Sequence, residues 1–582
     1  MPRNFMTSSA RPFRFLRMSF LVLLATVGVH LLNAAERVVT EGQTLELPTL
    51  TVTERADLPP VEDWRHAQVA GFEVLSNAGE KETKRLLADF HKFQQAVRLI
   101  WPASTQRIAS ASLLLCGREN KFDAFLPVNR TRDDAVVPSL LLRNREQIAI
   151  VVDLQTDLVT ITDSAALLAT GGASSEYQVD HYRQLYREYV HFLLSQGEVR
   201  PPAWMEEGLA QIIMDIELTR QSLILGKIDT FKGSASGGSP LEAAAEDATV
   251  ANAIVGEQPF NVVLQTRRFI PFDRFLAITH ESPEAASPLG NNLWAKQSYA
   301  FVHYCLFGDK LRHKDALAQF VSRLSREPLS EELFRDCFKI GYADMEKQLR
   351  AYLRHTRHQY QQYPLKPSDH LAPADIVLDQ ATPEQIGVIK GDALRLAGKK
   401  AEAHQEYRLA YRRGGRSAAL LSGLGQVDPD PENAFKFLNA AVREGVASPS
   451  AHVALSRLRL DTFKVEQGPD PRLTNAQMAG VLTPLFKARS LPPQLPETYE
   501  TIAEAWSLSS VPPKPEHLAV LDEGIRLFPR DSGLLHRSAV LYRQAGRPET
   551  ARAIAQLALR YTQDPTERVR FETLIADLPP AP

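Results

Sequence analysis

From residue 380 to residue 580 the sequence is an almost unbroken series of amphipathic helical patterns with short breaks between them. Within it, small residues recur at set offsets from an aromatic one. Gly391, Ala393 and Leu394 are followed by Gly398, Ala403, Tyr407 and Ala410. A similar spacing returns in Ala539, Tyr542, Gly546, Ala551, Ala555 and Ala558, with Pro565 closing the unit. Small side chains are needed wherever two helices of a hairpin approach closely, so this register restricts the last third of the chain to stacked helical hairpins. Pro429, Pro431, Pro469 and Pro471 interrupt the period in the middle of the span.

The pattern resembles the tetratricopeptide repeat, whose unit of about 34 residues is a helix–turn–helix of this small–aromatic–small register. The resemblance implies a stack that presents a concave face to a protein or peptide. Composition agrees with an ordinary globular chain: 44% of the 582 residues are hydrophobic and 23% are charged, close to soluble averages. With 67 Lys and Arg against 69 Asp and Glu, no basic excess is present to displace counterions, so a dedicated nucleic-acid binder is excluded. Three cysteines rule out a disulfide scaffold and a Cys-rich zinc module.

The N-terminus reads as an address. Arg3, Arg11, Arg14 and Arg17 precede an apolar run from Met18 to Leu32 and the small-residue end Asn33-Ala34-Ala35. A basic start, an apolar core of about 15 residues and small residues at the end describe a secretory signal peptide over 1–35. A membrane-spanning helix needs about 20 apolar residues. The expectation is an exported protein, periplasmic or extracellular, with membrane contact only through an uncleaved leader.

An extended lead-in is expected over 36–68. Residues 69–363 then read as one domain, in which 69–165 form a mixed sheet with a packed helix. Gly71 to Asn77 alternates as a half-buried strand, and Leu86, Leu87, Phe90, Phe93, Val97 and Ile100 mark one apolar face of a helix over Glu80 to Trp101. Ala111 to Cys116 and Gln147 to Asp153 are compact apolar runs typical of buried strands. Residues 177–363 read as mainly helical, the proline-containing stretch 364–379 as a linker, and 380–582 as the repeats.

Chemistry concentrates in two neighbouring helices. Tyr186-Arg187-Glu188-Tyr189-Val190-His191 is followed by Trp204-Met205-Glu206-Glu207-Gly208-Leu209-Ala210. This pair of segments resembles a zinc metallopeptidase of the gluzincin type. That family carries His-Glu-x-x-His on one helix and Trp-x-x-Glu-Gly-x-Ala on the next, within a zincin fold. Two residues four apart lie on one helix face about 6 Å from each other, so both can reach one metal ion. A carboxylate from the second helix completes three protein ligands and leaves a position for water. The resemblance implies Glu188 as general base, His191 as a histidine ligand and Glu207 as the carboxylate ligand, with Trp204 and Gly208 in helix-start packing positions. Arg187 stands where the first histidine ligand belongs. A guanidinium stays protonated and offers no lone pair to zinc.

The fold class expected is therefore an α+β zincin-like domain followed by an all-α tetratricopeptide-like array. Two functional readings stay open. One is a non-catalytic, peptidase-like binding protein without metal, in which a protein or peptide partner engages the repeats and the cleft. The other is an active zinc peptidase in which Glu188, His191, Glu207 and a further ligand hold Zn. His181, ten residues before His191, lies about 15 Å from it along a continuous helix and does not share its metal. His303 and Tyr304 either line the same cleft from a later helix or are buried residues with polar tips. For Arg187 the alternatives are a replacement cation paired with Glu207 or Glu188, and a surface arginine. Cys116 reads as a core residue, and Cys305 and Cys337 are the pair available for a disulfide.

Overall fold

The computed structural model describes residues 58–69, 71–101, 110–128, 138–155, 158–161, 175–178, 180–195, 200–219, 221–228, 254–255, 264, 267–285, 290, 292–354, 358–366, 374–562 and 564–579. The expected leader over 1–35 and most of the lead-in lie outside these residues. Among the described residues no helix is long and apolar enough to cross a membrane. The chain forms two compact units that divide between Asp428 and Pro429, and not at the proline stretch of 364–379.

The first unit begins with the hairpin β1 (Arg65–Val69) and β2 (Phe72–Ser76), then α1 (Glu80–Ile100), β3 (Ser110–Cys116), β4 (Ser139–Arg143) and β5 (Gln147–Asp153). Two short strands, β6 (Leu158–Ile161) and β7 (Ser175–Gln178), precede the helices α2 (His181–Ser195) and α3 (Ala203–Met214). Next come β8 (Glu217–Leu218), β9 (Ser222–Leu225), β10 (Ile254–Val255), α4 (Phe272–Ala277) and α5 (Leu293–Phe307). The helices α6 (Lys314–Leu324), α7 (Glu331–Phe338) and α8 (Tyr342–Leu353) lead to β11 (Gln361–Pro364) and β12 (Asp379–Gln380). Three helices, α9 (Pro383–Leu396), α10 (Lys400–Arg412) and α11 (Ala418–Val427), complete the unit.

The main sheet has the order β12-β1-β2-β3-β5-β4. Its centre is parallel, β2 on β3 and β3 on β5, and its edges are antiparallel. Parallel neighbours need a crossover, and α1 supplies the one between β2 and β3. The apolar face read from the sequence is the buried one: Leu86, Leu87, Phe90, Phe93 and Val97 are covered. They pack with Phe72 of β2 and with Tyr189, Val190 and Phe192 of α2. The sheet core thus fixes one face of α2 and leaves the opposite face to a cleft. A second small sheet, β11-β9-β8, lies within the 177–363 span that reads as mainly helical. Its outer pairing joins Leu225 to Gln361, a distant partnership that no local pattern announces.

Helix α3 is buried on both sides. Against α5 it approaches so closely that a methyl group added at Gly208 would sit 2.5 Å from Val302 Cγ2 and 2.7 Å from the Ser298 carbonyl oxygen. Cys116, Cys305 and Cys337 are all buried free thiols, so the expected candidate pair Cys305 and Cys337 is not joined.

Helices α9–α11 are tied to the sheet by backbone and side chains. Ala381 N donates to the Trp64 carbonyl at 2.9 Å, and the buried Lys390 ammonium bridges Glu62 and Glu406 at 2.8 Å each. Burial alone would raise the Glu62 carboxyl, but Lys390 overrides it and holds it at about 2. The register of small residues has its reason here. The Tyr407 ring fills the space above Gly391 and Gly423, where an added Cβ would come within 2.4 and 2.5 Å of it. Its hydroxyl donates to Asp392 Oδ1 at 2.7 Å.

The second unit contains α12 (Pro431–Arg443), α13 (Pro449–Gln467), α14 (Asn475–Ser490) and α15 (Pro496–Ser507), then α16 (Pro515–Leu527), α17 (Ser532–Gln544), α18 (Pro548–Tyr561) and α19 (Pro565–Ala576). The tyrosine seam recurs. Tyr499 packs on Gly524 and donates to Glu523 at 2.7 Å, and Tyr542 donates to Asp522. Prolines at the first turns of α12, α13, α15, α16, α18 and α19 occupy positions where a missing N–H costs nothing. Of the prolines that interrupt the sequence period, Pro431 starts a helix, and Pro469 and Pro471 lie in the loop between α13 and α14.

A helix-interior glycine changed to alanine ordinarily gains about 0.5–1 kcal/mol. At Gly208 the close contact reverses that sign, and Gly208→Ala is expected to destabilise the first unit by about 1–3 kcal/mol. Gly480→Ala, with nothing within 4 Å of the added methyl, is expected to stabilise the second. Denaturant unfolding of the two variants checks the opposite signs.

Candidate functional site

Helix α2 presents Arg187, Glu188 and His191 to the cleft, and α3, entered through Pro201 and Pro202, presents Glu206 and Glu207. Arg187, Glu188, Glu206 and Glu207 are each no more than 5% exposed, which for charged groups requires paired partners. Arg187 meets Glu207 side-on: Nη2 lies 2.7 Å from Oε2 and Nε 3.3 Å from Oε1. Its Nη1 donates to Glu188 Oε1 at 3.1 Å, an oxygen that Ser139 Oγ of β4 also reaches at 3.2 Å. One guanidinium therefore bridges two buried carboxylates, using the planar fork that a lysine lacks.

Glu207 has two further neighbours. Gln211 Nε2 donates to Oε1 at 2.8 Å and to the Gly290 carbonyl at 2.6 Å. Gly290 has φ +60°, and a Cβ there would lie 2.7 Å from both Arg187 Nε and Glu207 Oε1. Backbone thus closes directly over the ion pair.

His191 joins this group to a second one. Its Nδ1 lies 2.9 Å from Glu206 Oε1 and its Nε2 3.2 Å from Glu207 Oε2. Burial pulls the imidazole downward, but the two carboxylates override that and push it up to about 9. Burial would likewise raise the Glu207 carboxyl, and Arg187 together with His191 holds it well below the usual range. Glu206 is held low against its burial by His191, His280 and Arg200. Arg200 Nη2 and Nε reach its two oxygens at 2.8 and 2.6 Å, and His280 Nε2 reaches Oε2 at 2.9 Å.

The pocket above these groups has a volume of about 250 Å³, and β4 forms one wall. Among the described strands β4 is an edge, paired only with β5. The sequence-derived candidates Arg187, Glu188, His191 and Glu207 come together here. Trp204 does not line the pocket: it is fully buried and packs on Phe301 and Phe320. His303 and Tyr304 are corrected as cleft candidates. His303 Nε2 donates to the Gly226 carbonyl at 2.7 Å and its Nδ1 accepts from the Tyr352 hydroxyl at 2.8 Å, while Tyr304 donates to Gln348 at 3.0 Å. Burial drives the His303 imidazole down to about 3, so it is a neutral core residue. The motif also leaves out Glu206, Arg200, His280 and Gln211. Glu206 and Arg200 were findable, since they flank the same proline entry. His280 carries no local signal.

A gluzincin zinc site needs two histidine nitrogens free to point at the ion and a carboxylate oxygen beside them. Here both His191 nitrogens face carboxylates, and the Glu207 oxygen nearest His191 also takes Arg187 Nη2. So arranged, these side chains do not fit zinc. Among the described residues no group of three or more His, Cys, Asp and Glu side chains is arranged to hold a metal ion.

The helices from α9 onward form tetratricopeptide-like hairpins, built on the tyrosine seams described above. No family model matches the chain, and no curated protein matches it. Solved structures similar to part of it include a thermophilic TPR protein of Thermus thermophilus, 18% identical, covering 33% of this chain and 99% of that one with a TM-score of 0.26. YrrB, described as a TPR protein with an unusual peptide-binding site, is 16% identical over 32% of this chain and 90% of its own, with a TM-score of 0.26. Pseudomonas aeruginosa pilF is 13% identical over 34% and 85%, with a TM-score of 0.27.

Two outcomes follow for stability. Arg187→Met leaves Glu207 and Glu188 buried without their shared cation and is expected to cost about 3–5 kcal/mol in denaturant unfolding. The pH dependence has a defined sign. Glu206 and Glu207, held low, contribute above their ordinary 4.5 and lose that contribution as pH falls. His191, held high, contributes fully below its ordinary 6.5 and loses its contribution as pH rises through about 9. His191→Gln is therefore expected to flatten the alkaline decline of stability between those two values, a change of about 3 kcal/mol, read from unfolding at a series of pH values.

Proposed function

We propose that this chain is an exported, non-catalytic relative of the gluzincin-type zinc metallopeptidases, joined to helical repeats that bind a protein or peptide. Arg187 takes the place of the first zinc ligand, and its cleft holds an extended peptide instead of cutting one. The observation that carries this reading is the buried side-on contact between Arg187 and Glu207 at 2.7 and 3.3 Å.

Further support comes from the arrangement around it. Arg187 and His191 stand four residues apart on α2, Glu188 lies between them, and Glu207 enters from the next helix. The antiparallel edge strand β4 runs beside the cleft, and an exposed strand edge receives a peptide by adding it as one more strand. Such a peptide makes main-chain hydrogen bonds to β4 and places alternate side chains in the pocket. Glu188, at the general-base position of the family, has its Oε1 held by Arg187 Nη1 and Ser139 Oγ. The repeats supply a second surface of the kind that stacked helical hairpins offer to partners.

Zinc content and peptidase activity test the reading. The native chain, purified without chelator, is expected to carry no stoichiometric zinc and to leave casein uncleaved. Arg187→His restores two histidines four apart, and its melting temperature is expected to fall in chelator and rise again on adding Zn²⁺. Stoichiometric zinc and proteolysis by the native chain would overturn the reading. An Arg187→His variant indifferent to zinc would refute the claim that one ligand separates this cleft from a metal site.

A further inference from the structure

Arg143, the last residue of β4, is among the described residues the guanidinium of the cleft with a buried nitrogen left without an acceptor. Its Nη1 is buried and has no hydrogen-bond partner. The nearest carboxylate oxygen found with it, Glu206 Oε1, is 3.7 Å away, too far for a hydrogen bond.

The reason is capacity. A carboxylate offers about four lone-pair sites. Glu206 has filled them: Oε1 takes His191 Nδ1 and Arg200 Nη2, and Oε2 takes Arg200 Nε and His280 Nε2. Glu207 and Glu188 are engaged by Arg187. The cleft lines up three guanidinium groups, Arg143, Arg187 and Arg200, against three carboxylates, with the imidazole of His191 added on the cationic side. Among the described residues the guanidinium nitrogen of the cleft left without an acceptor is that of Arg143. It stays charged at any physiological pH. A buried guanidinium nitrogen without an acceptor is costly, and an anion that enters the pocket relieves that cost.

We propose that Arg143 binds a carboxylate of the peptide that lies along β4, so that the cleft selects acidic peptides. This rests on the reading of β4 as a peptide-binding edge and adds the chemistry of selection to it. Ser139, Leu141 and Arg143 alternate onto one face of the strand, and Ser139 and Arg143 both approach the buried acids of the cleft. A peptide strand hydrogen-bonded to the outer edge therefore passes within reach of the Arg143 fork, which accepts a carboxylate through two parallel N–H groups. The carboxylate is either the peptide's own C-terminus or an acidic side chain.

Three fluorescein-labelled hexapeptides of alternating threonine and valine separate these sources: one with a free C-terminal carboxylate, one with a C-terminal amide, and one amidated with a central glutamate. Fluorescence anisotropy with the full chain is expected to show at least one carboxylate form binding about tenfold or more tighter than the uncharged amide. The form that gains identifies the source. The difference is expected to shrink as salt rises and to vanish in Arg143→Gln, with partial retention in Arg143→Lys. Equal binding of all three peptides, or a preference that survives Arg143→Gln, overturns the role of Arg143 and leaves the strand-addition reading standing. No binding by any of the three overturns both.

Discussion

The contact between Arg187 and Glu207 is the constraint on which the rest of the cleft depends. Removing an ion from water costs several kcal/mol even after relaxation, and five charged or chargeable side chains of α2 and α3 are buried or nearly so. They stay in the interior because one guanidinium spans two of the carboxylates and leaves neither unmatched. The same contact fixes geometry. It joins the middle of α2 to the first turns of α3, and Gly290 and Gln211 close over it. Helix α3 is in turn clamped to α5 at Gly208. A displacement of either helix would separate the charges, so packing and electrostatics hold the same position.

Two cations at the heart of this network balance the buried carboxylates. Arg187 is one, and the imidazole of His191, raised to about 9 by its two carboxylates, is the other at neutral pH. Glu206 is then drawn into the site as the partner of the His191 nitrogen that would otherwise be idle, and Arg200 and His280 fill its remaining positions. That saturation leaves Arg143 Nη1, at the end of β4, 3.7 Å from Glu206 Oε1.

Much of this was legible in the sequence, and the parts that were not share a physical cause. The apolar face of α1, the run from Gln147 to Asp153 and the small-residue register around Tyr407 are local patterns, and each element forms where its pattern lies. The spacing of Arg187, Glu188, His191 and Glu207 brings those four together because two consecutive helices carry them. Burial patterns of single helices say little about distant partners, so the sequence leaves both a cleft and a core open to His303, and the contacts to Gly226 and Tyr352 place it in the core. Strand β4 went unread, since five residues without clear alternation become a strand only through pairing with β5. The division after Asp428 was hidden for a similar reason. Helices α9–α11 carry the repeat pattern, yet Lys390 and Ala381 bind them to the lead-in before β1, more than 300 residues away in sequence.

A double-mutant cycle on Arg187→Met and Glu207→Gln measures the central interaction most directly. If the guanidinium is the stand-in cation, the two changes couple by about 2 kcal/mol or more in denaturant unfolding, and the double variant is more stable than Arg187→Met alone. Additive losses, with no recovery in the double variant, would contradict the account.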